Sequence, residues 1–349
     1  MSSIYAITGG CGFIGSYITK LLLKYDKSIK EIRIIDININ KKIDDSRVIY
    51  TACNIMDIDK LILVLTGVDL VIHSAAIVDV FGKNDDFTIY NINFNGTKNI
   101  ITACIASGVR YLIYTSSMEV IGPNKYGTPF VGNEDTEYVP EHKHRYPYSK
   151  AEAEKLVLIV NGSKVKGGNT LKTCSLRPTG VYGEGNMLLK NIYDTCKRND
   201  YKIPLTVKHG TRHSRVYVGN VAWMHVLVVR NIQFRSSVVP GNVYYCYDNS
   251  PVCEYDKFNI LLMKKINVKE GKRIPYCLLR TSATINDLAR CVLKPIIKIS
   301  PMLNKHTLMI ANTTFEVKTN KAFFDFGYTP LFTVEESFDR TTNWLIEKN

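Results

Sequence analysis

The chain has little that would support a disulfide framework. Its nine cysteines include no pair separated by two residues, and an odd number cannot all pair within one chain. Several of them, such as Cys104 and Cys174, lie inside apolar runs, where a reduced cysteine packs like a small hydrophobic residue. This usage excludes a disulfide-rich secreted module and favours a reducing compartment, so we expect a cytoplasmic protein.

No apolar run reaches the roughly 18 residues that a membrane-spanning helix needs. The nearest approach, Ile274–Ile299, is interrupted by polar and charged residues, namely Arg280, Asn286, Asp287, Arg290, Lys294 and Lys298. We predict an amphipathic helix here that lies at most on a membrane surface. Its inward, membrane-facing residues would be Leu278, Leu279, Leu288 and Val292.

Clustered positive charge is also missing, although the net charge is +13. Lys and Arg are spread along the whole chain, without the patches and interleaved aromatic residues of a nucleic-acid groove. We therefore expect no nucleic-acid partner, while a basic surface would attract an anionic cofactor. The spacings typical of metal ligands are absent too, so no metal site is predicted.

The first half of the chain alternates short β-branched runs with longer helical patterns. The strand-like runs are Ile4–Ile7, Ile32–Asp36, Val48–Thr51, Leu70–His73, Tyr111–Thr115 and Thr173–Leu176. The helical patterns are Phe13–Tyr25, Asp57–Leu65, Asn84–Ser107 and Tyr146–Val160. This alternation predicts βαβ units with right-handed crossovers, and hence an α/β, doubly wound parallel sheet of the Rossmann type. Because Ile4–Ile7 begins almost at the N-terminus, no signal peptide is expected.

The pattern becomes less regular beyond Gly180–Gly185. We predict a Rossmann domain over residues 1–185 and a smaller, mostly helical substrate-binding part over residues 186–349. Val216–Arg230 and Val243–Tyr247 are expected to return to the main sheet.

A glycine turn joins the first strand to the first helix. Gly9, Gly12 and Gly15 have the spacing GxxGxxG, and Phe13, Ile14 and Gly15 would form the first helical turn. A β-carbon in this turn would hold a pyrophosphate away from the helix N-terminus, where free amides and the helix dipole bind anions. The turn therefore predicts a dinucleotide site.

An acidic residue ends the second strand. Asp36 lies about 20 residues beyond Gly15, where a carboxylate accepts hydrogen bonds from the adenosine ribose and repels a 2′-phosphate. NAD is therefore favoured over NADP as the cofactor. The nearby cations Lys41, Lys42 and Arg47 would weaken this preference if they reached the ribose.

Tyr146 and Lys150 are four residues apart, and hence on one face of a helix. Thr115, Ser116 and Ser117 follow the fifth strand, near the same end of the predicted sheet. A free phenol has a pKa near 10, and a neighbouring ammonium, together with the charged nicotinamide ring, would lower it toward the range of a useful base. We predict that Tyr146 exchanges a proton with a substrate hydroxyl, that a serine fixes the same oxygen, and that Lys150 also binds the nicotinamide ribose.

The chain resembles the extended short-chain dehydrogenase/reductases, and within them the 3β-hydroxysteroid dehydrogenase/Δ5–Δ4 isomerase family. Four segments carry the resemblance: YLIYTSSMEVIGPN at 111–124, YPYSKAEAEK at 146–155, LRPTGVYGEG at 176–185 and VYVGNVAWMH at 216–225. It covers nearly the whole chain, and the Lys-, Asn- and Ile-rich composition is similar to the poxviral branch. The resemblance implies NAD-dependent oxidation of the 3β-hydroxyl of Δ5-steroids with Δ5-to-Δ4 isomerisation, as in steroid hormone biosynthesis.

The resemblance also assigns roles to individual residues. It implies that Tyr146 and Lys150 are the catalytic tyrosine and lysine, and that Ser117 positions the substrate. Further cofactor-binding positions implied by the matching motifs are Asp36, Asn54, Ile55, Ser74, Ala75, Ala76, Asn93 and Pro178. The family commonly has Asp-Ile near the adenine, where this chain has Asn54 and Ile55. Asp248, after the strand Val243–Tyr247, is a candidate for the isomerase acid, as in ketosteroid isomerase.

The sequence leaves two other functions open. A nucleotide-sugar epimerase or dehydratase would use the same fold, tyrosine and lysine, with Lys208, Arg212 and Arg215 available for a second pyrophosphate. A non-catalytic NAD-sensing protein is the other alternative, and the intact Ser117, Tyr146 and Lys150 argue against it. The preferred steroid, the direction of reaction and the oligomeric state, including a homodimer, stay undetermined.

Overall fold

The computed structural model describes residues 3–39, 42–234, 237–293 and 301–348. The strands are β1 (Ser3–Thr8), β2 (Ile29–Asp36), β3 (Val48–Ala52), β4 (Leu70–His73), β5 (Tyr111–Thr115), β6 (Phe130–Gly132), β7 (Lys172–Pro178), β8 (Gly180–Tyr182), β9 (Lys202–Leu205), β10 (Arg215–Tyr217), β11 (Val243–Cys246), β12 (Lys269–Arg273) and β13 (Phe315–Val317). The helices are α1 (Phe13–Tyr25), α2 (Ile58–Leu65), α3 (Asp86–Tyr90), α4 (Gly96–Ser107), α5 (Arg145–Ile159), α6 (Met187–Lys197), α7 (Val218–Phe234), α8 (Tyr255–Leu262), α9 (Tyr276–Leu293), α10 (Lys305–Ala311), α11 (Lys321–Phe326) and α12 (Val334–Glu347).

Seven parallel strands form the main sheet, in the order β11-β7-β5-β4-β1-β2-β3. The chain proceeds in one direction from β1 to β3 and in the other from β4 to β11. The direction therefore reverses between β1 and β4, and ligands of such sheets bind in the crevice outside the carboxyl ends of the strands at that point. The predicted doubly wound parallel sheet is confirmed.

Helices cover both faces of this sheet, because its strands are apolar on both sides. On one face, Ile7 and Ile72 pack with Ile18 of α1 and Val228 of α7. On the other face, β-strand residues such as Val71 pack with side chains of α2, α4 and α5. The central strands of the sheet are thus buried, and their carboxyl ends provide a rigid edge for a site.

The remaining described strands form three short parallel pairs outside the main sheet: β8 with β10, β9 with β12 and β6 with β13. Side chains of α6, α8 and α12 pack into a separate cluster with Tyr182 and Tyr217. Within the segments expected to return to the sheet, β11 pairs with β7, whereas Val216 pairs with Val181 of β8. Helix α7 covers a face of the sheet instead of adding a strand. The boundary at residue 185 stays a prediction.

The long helix predicted over Asn84–Ser107 is divided in the structure. A π-helical segment, Asn91–Asn95, separates α3 from α4. Such a segment widens one turn and is frequent at functional sites. Here it contains the buried Asn93, one of the predicted site residues.

The amphipathic stretch predicted near the C-terminus contains α9, and its end at residues 294–299 lies outside the described residues. Leu278, Leu288 and Val292 are exposed, as is Ile285. Leu279 was predicted to face a membrane with them and this is wrong, since it is 5% exposed and packs inside the protein with Ala283 and Leu308. Among the described helices, none is long and apolar enough to cross a bilayer.

Candidate active site

The glycine turn brings β1 into close contact with the loop after β4. Gly9 has φ +67°, and a β-carbon there would lie 2.8 Å from Cα of Ala75. A β-carbon on Gly15 would collide with the Gly9 carbonyl oxygen. Both positions therefore require glycine. Backbone atoms alone shape the cleft between β1 and β4, where the strand order reverses.

The N-terminus of α1 faces this turn. Gly12 precedes the helix, provides no side-chain cap, and donates its N–H to the Gly9 carbonyl at 3.0 Å. The amides of the first turn, beginning with Phe13, Ile14 and Gly15, have no partner within a helix and can bind an anion. The turn fits a dinucleotide pyrophosphate as predicted from its glycines.

Asp36 lies beside the glycine turn at the carboxyl end of β2. Its Oδ2 accepts a hydrogen bond from the Cys11 N–H at 3.0 Å, and its Oδ1 accepts one from the Asn38 N–H at 3.2 Å. These bonds fix the carboxylate at the edge of the crevice, where a ribose would lie in a Rossmann fold.

The cations near Asp36 are engaged with other groups. Arg47 forms an ion pair with Asp45 at 2.7 Å, and the Lys42 ammonium lies 5.8 Å from the centre of the Tyr50 ring. Lys41 lies outside the described residues. The carboxylate of Asp36 is thus the charged group placed against the turn, which favours NAD over NADP.

The two residues expected near the adenine have different environments. Asn54 is exposed, and its side-chain carbonyl accepts a hydrogen bond from the Met56 N–H at 3.0 Å. Ile55 is buried, and a β-carbon on Gly96 would meet its side chain at 2.5 Å. Ile55 therefore packs against the start of α4, while Asn54 is the polar group at this rim.

The loop of Ser74, Ala75 and Ala76 is bonded directly to β1. The Ser74 hydroxyl donates to the Thr8 carbonyl at 2.8 Å, and the Ala75 N–H donates to the Thr8 hydroxyl at 3.3 Å. His73, which precedes this loop, lies between Thr8 and Thr97 at 2.6 and 2.9 Å. Burial, followed by the charge of Lys150, lowers the pKa of His73 to about 3, so it is a neutral structural residue.

Asn93 connects this loop to α5. Its side-chain oxygen accepts from the Ile77 N–H at 2.8 Å, and its Nδ2 donates to the Ile77 carbonyl at 3.0 Å and to the Ser149 hydroxyl at 3.1 Å. Ser149 lies between Tyr146 and Lys150 on α5. Asn93 therefore fixes the helix that carries the predicted catalytic pair.

Ser117, Tyr146 and Lys150 converge at the carboxyl end of β5. A hydrogen bond with the Ser117 side chain lowers the pKa of Tyr146, although burial and the charge of Glu119 raise it by more. The Lys150 ammonium donates to the Thr115 carbonyl at 2.7 Å and lies 4.1 Å from the centre of the Tyr114 ring. Tyr146 and Lys150 are both buried.

Burial opposes the expected effect of Lys150 on the pKa of Tyr146. Burial lowers the pKa of Lys150 to about 7, and Glu154 opposes this shift. Lys150 is therefore largely neutral at the much higher pH at which the buried phenol would ionise. The pKa of Tyr146 is raised above 10, so forming its phenolate requires further positive charge.

A buried ion pair behind this site has no counterpart in the sequence predictions. Glu154 accepts bonds from Arg177 at 2.6 and 3.1 Å and from the Ser175 hydroxyl at 2.7 Å. The pair joins α5 to the end of β7, next to Pro178, one of the predicted cofactor-binding residues. The sequence did contain a signal for Glu154, since it lies four residues after Lys150 and therefore on the same helix face.

Glu119 lies within electrostatic range of Tyr146, and the sequence did not assign it to this site. Glu119 follows Ser117 in a short 3₁₀ turn, Met118–Val120, and Tyr255 begins α8. The guanidinium carbon of Arg215 lies 3.9 Å from the centre of the Tyr255 ring. The charge of Glu119 contributes to raising the pKa of Tyr255, after the larger effect of burial.

Each of the three cations considered for a second pyrophosphate lies against another side chain of the protein. Arg212 pairs with Glu316 at 2.6 Å, and the Lys208 ammonium lies 4.4 Å from the centre of the Tyr276 ring. The Arg215 guanidinium lies against the Tyr255 ring, and its Nε has no hydrogen-bond partner among the described residues. In the described part of the chain, no group of three potential metal-ligating side chains is found.

Asp248, the candidate isomerase acid, is held by backbone and amide groups. Its Oδ2 accepts from the Tyr217 N–H at 2.8 Å and from Asn220 Nδ2 at 2.9 Å, and its Oδ1 accepts from the Ser250 N–H at 2.9 Å. Both oxygens are therefore occupied in linking β10, α7 and the loop after β11. This environment indicates a structural role.

Comparison with known proteins identifies the relatives of this chain. Residues 6–278 match the model of the 3-beta hydroxysteroid dehydrogenase/isomerase family. A monkeypox virus protein named 3 beta-hydroxysteroid dehydrogenase/Delta 5-->4-isomerase is 50% identical over 349 residues, covering 99% of each chain. The human 3 beta-hydroxysteroid dehydrogenase type 7 is 43% identical over 351 residues, covering 98% of this chain and 95% of the human protein. The resemblance seen in the sequence is confirmed.

A solved structure with the same fold is the dTDP-glucose 4,6-dehydratase DesIV from Streptomyces venezuelae, with NAD and TYD bound. It is 18% identical, has a TM-score of 0.72, and covers 99% of this chain and 97% of its own. At this level of identity the similarity shows the fold alone.

Proposed function

This chain belongs to the 3-beta hydroxysteroid dehydrogenase/isomerase family, and we propose that it oxidises the 3β-hydroxyl of Δ5-steroids with NAD and moves the double bond to Δ4. The observation that carries the proposal is the convergence of Ser117, Tyr146 and Lys150 at the carboxyl end of β5. Ser117 follows β5, Tyr146 and Lys150 lie on α5, and together they provide an alcohol-binding hydroxyl, a phenol and an ammonium.

The residues of the crevice fit NAD. Gly9 and Gly15 leave the space that a β-carbon would fill, the first turn of α1 offers free amides to the pyrophosphate, and Asp36 accepts from the ribose. Asn54, Ile55, Ser74, Ala75, Ala76, Asn93 and Pro178 are proposed to line the rest of the cofactor site. When bound, NAD supplies the acceptor for the hydride that leaves C3.

The side chains of the protein bind the substrate oxygen and accept its proton. The Ser117 hydroxyl accepts the Glu119 N–H at 3.2 Å, which leaves its own proton to donate to the substrate oxygen. Tyr146 accepts the proton of the 3β-hydroxyl as the carbonyl forms. Lys150 contributes positive charge and a hydrogen-bond donor on the same helix face. Formation of the phenolate is favoured when positive charge is brought to this buried site.

The two alternatives have less support. A nucleotide-sugar enzyme would need cations for a second pyrophosphate, whereas Arg212 is paired with Glu316 and Arg215 is stacked on Tyr255. A non-catalytic NAD-sensing protein would have no need for a buried Tyr146 in hydrogen-bond contact with Ser117.

We further propose a cytoplasmic protein that rests on membranes through α9 without spanning them. Four exposed apolar side chains support the proposal, since Leu278, Ile285, Leu288 and Val292 lie along one side of this helix. Their exposed fractions run from 58% to 64%. A steroid substrate partitions into membranes, so a reversible contact would bring the protein to its substrate.

The experiment is a coupled assay on the purified protein. With NAD and a Δ5-3β-hydroxysteroid, we expect NADH to form together with the conjugated Δ4-3-ketone. UDP-galactose is the matched substrate for the sugar-nucleotide alternative, and we expect no epimerised product. Absence of NADH with the steroid, or turnover of the sugar nucleotide in its place, would overturn the proposal.

A further inference from the structure

Arg215 carries a buried hydrogen-bond donor without a partner. Its Nε is buried and has no hydrogen-bond acceptor among the described residues. The guanidinium carbon lies 3.9 Å from the centre of the Tyr255 ring and 4.9 Å from the centre of the Phe258 ring. A ring face stabilises a cation, but it offers no oxygen lone pair to an N–H group. The aromatic contacts therefore compensate for part of the charge of Arg215 and leave its Nε–H unsatisfied.

The charge of Arg215 is not balanced by a carboxylate. Burial lowers the pKa of this arginine, and the groups that oppose the shift are Tyr255, Cys253 and Tyr182. Burial raises the pKa of each of these three side chains, so all of them are neutral near pH 7. Removing an unpaired cation from water costs free energy, so the retention of Arg215 needs a functional reason.

Arg215 is held beside the carboxyl end of β7. It pairs with Gly180 in the ladder of β8 and β10, and Gly180 follows closely on Pro178, the last residue of β7. A β-carbon on Gly180 would lie 2.8 Å from Cδ of Arg215, so glycine leaves room for the arginine side chain. Strand β7 pairs with β5, after which Ser117 follows. Arg215 therefore lies near the same edge of the sheet as the catalytic residues.

Tyr255 connects Arg215 to the site of oxidation. Burial raises the pKa of Tyr255, the charge of Arg215 lowers it, and the charge of Glu119 raises it. The charge of Glu119 also raises the pKa of Tyr146, the proton acceptor. Arg215 is not fully enclosed, since the residue keeps partial access to solvent while its Nε is covered. We infer that Arg215 borders the substrate crevice, with Tyr255 between it and Tyr146.

The chemistry around Arg215 limits the kind of ligand. The aromatic rings beside it suit the apolar body of a steroid, and a pocket of this kind needs only a few polar groups to fix orientation. A guanidinium binds the lone pairs of a carbonyl or carboxylate oxygen. A second pyrophosphate would need further cations, whereas Arg212 pairs with Glu316 and the Lys208 ammonium lies against an aromatic ring. A single guanidinium therefore matches one carbonyl or one carboxylate.

We propose that Arg215 is a specificity-determining residue that donates hydrogen bonds to an oxygen acceptor at the end of the steroid remote from C3, an inference that rests on the proposed steroid function. The steroid nucleus is rigid, so a C3 oxygen bound by Ser117 and Tyr146 directs the D ring to the opposite end of the crevice. The preferred substrates are Δ5-3β-hydroxysteroids with a carbonyl or carboxylate oxygen on the D ring. Because the donor is charged, it discriminates more strongly than a neutral hydroxyl would.

The test varies the residue and the substrate together. The unmodified protein and Arg215→Met are assayed with NAD and three Δ5-3β-hydroxysteroids that differ at C17, namely a ketone, a carboxylate and the unsubstituted parent. Methionine keeps the apolar length of the arginine side chain and removes every donor. We expect the variant to lower kcat/KM by about 10–100-fold for the ketone and the carboxylate, the value of a hydrogen bond to a charged group. The kcat/KM for the parent steroid should stay nearly unchanged.

Arg212→Met is the matched control. It makes the same change in a nearby arginine whose side chain is 49% exposed and pairs with Glu316. Its effect on kcat/KM should be small and equal for the three steroids. Equal loss for all three steroids in Arg215→Met would overturn the proposal, because it would indicate that the arginine only maintains the fold. Unchanged kcat/KM for the ketone and the carboxylate in Arg215→Met would overturn it as well.

A comparison on the unmodified protein does not depend on any variant folding. Its kcat/KM should be higher for the ketone and the carboxylate than for the unsubstituted parent, by about 10–100-fold. If the unmodified protein oxidises none of the three steroids, the proposed function fails. If it oxidises all three with the same kcat/KM, only the role of Arg215 fails.

Discussion

Replacing Lys150 with methionine is expected to stabilise the protein at neutral pH, although it should remove most of the activity. Methionine keeps the apolar length of the lysine side chain and eliminates the ammonium. In the structure that ammonium is buried and has lost its water, with the Thr115 carbonyl and the face of the Tyr114 ring as its contacts. The lysine is therefore a group that function requires at a cost in stability.

The size of the effect follows from the pKa of Lys150. Lowering this pKa from 10.5 to about 7 means that the folded protein binds the proton about 5 kcal/mol less well than the unfolded chain. The penalty is complete below pH 7 and disappears as the pH rises toward 10.5, where the unfolded chain also loses the proton. At pH 7 it is about 4 kcal/mol, and at pH 9 about 2 kcal/mol. The unpaired Thr115 carbonyl in the variant costs about 1–3 kcal/mol at either pH.

We therefore expect Lys150→Met to raise the free energy of unfolding by about 2 kcal/mol at pH 7 and by about zero at pH 9. Urea unfolding of the protein without added NAD measures both values. Lys155→Met is the matched control on the same helix, because the Lys155 side chain is 67% exposed and pairs only with Glu152 nearby. Its effect should stay within about 0.5 kcal/mol. A variant at Lys150 less stable than the unmodified protein at pH 7, or a difference independent of pH, would refute the reasoning.

Three further outcomes are expected. Tyr146→Phe should lower steroid oxidation by about 10²–10⁴-fold while the Kd for NAD stays nearly unchanged, and near-normal turnover would exclude Tyr146 as the proton acceptor. Asp36→Ala should weaken NAD binding by roughly 10–100-fold, the value of charge-assisted hydrogen bonds, with little change for NADP; equal use of both cofactors before mutation would contradict the role of Asp36. In sedimentation with phosphatidylcholine–phosphatidylserine vesicles, Leu288→Lys should reduce binding relative to the exposed-residue control Thr281→Ser, and identical binding would exclude α9 as the contact.

The fold and the cofactor crevice could be predicted because their signals are local in the sequence. The glycine spacing fixes a backbone conformation that Gly9 adopts with positive φ, and Asp36 ends a strand whose register beside β1 is set by its apolar alternation. The strands of the first half pair in register with little change in their bounds. In contrast, the π-helical segment around Asn93 was not predicted, since nothing in the helical periodicity there distinguishes a widened turn from an ordinary one.

The electrostatics of the site could not be predicted in this way, because they depend on burial. The helix spacing places Tyr146 and Lys150 on one face, but it does not reveal that both lose contact with water, or that Lys150 donates to the Thr115 carbonyl. For the same reason the pKa of Lys150 falls to about 7, and burial raises the pKa of Tyr146. Sequence spacing therefore identifies which groups meet, while their protonation is decided by packing.

Asp248 shows why neighbours in space must be known before a role is assigned. It follows a strand at the carboxyl edge of the sheet, where functional residues are common, and yet Tyr217, Asn220 and Ser250 all donate hydrogen bonds to its oxygens. A carboxylate held by three neighbouring groups links elements of the fold. Position on the sheet therefore does not by itself assign the isomerase role to Asp248.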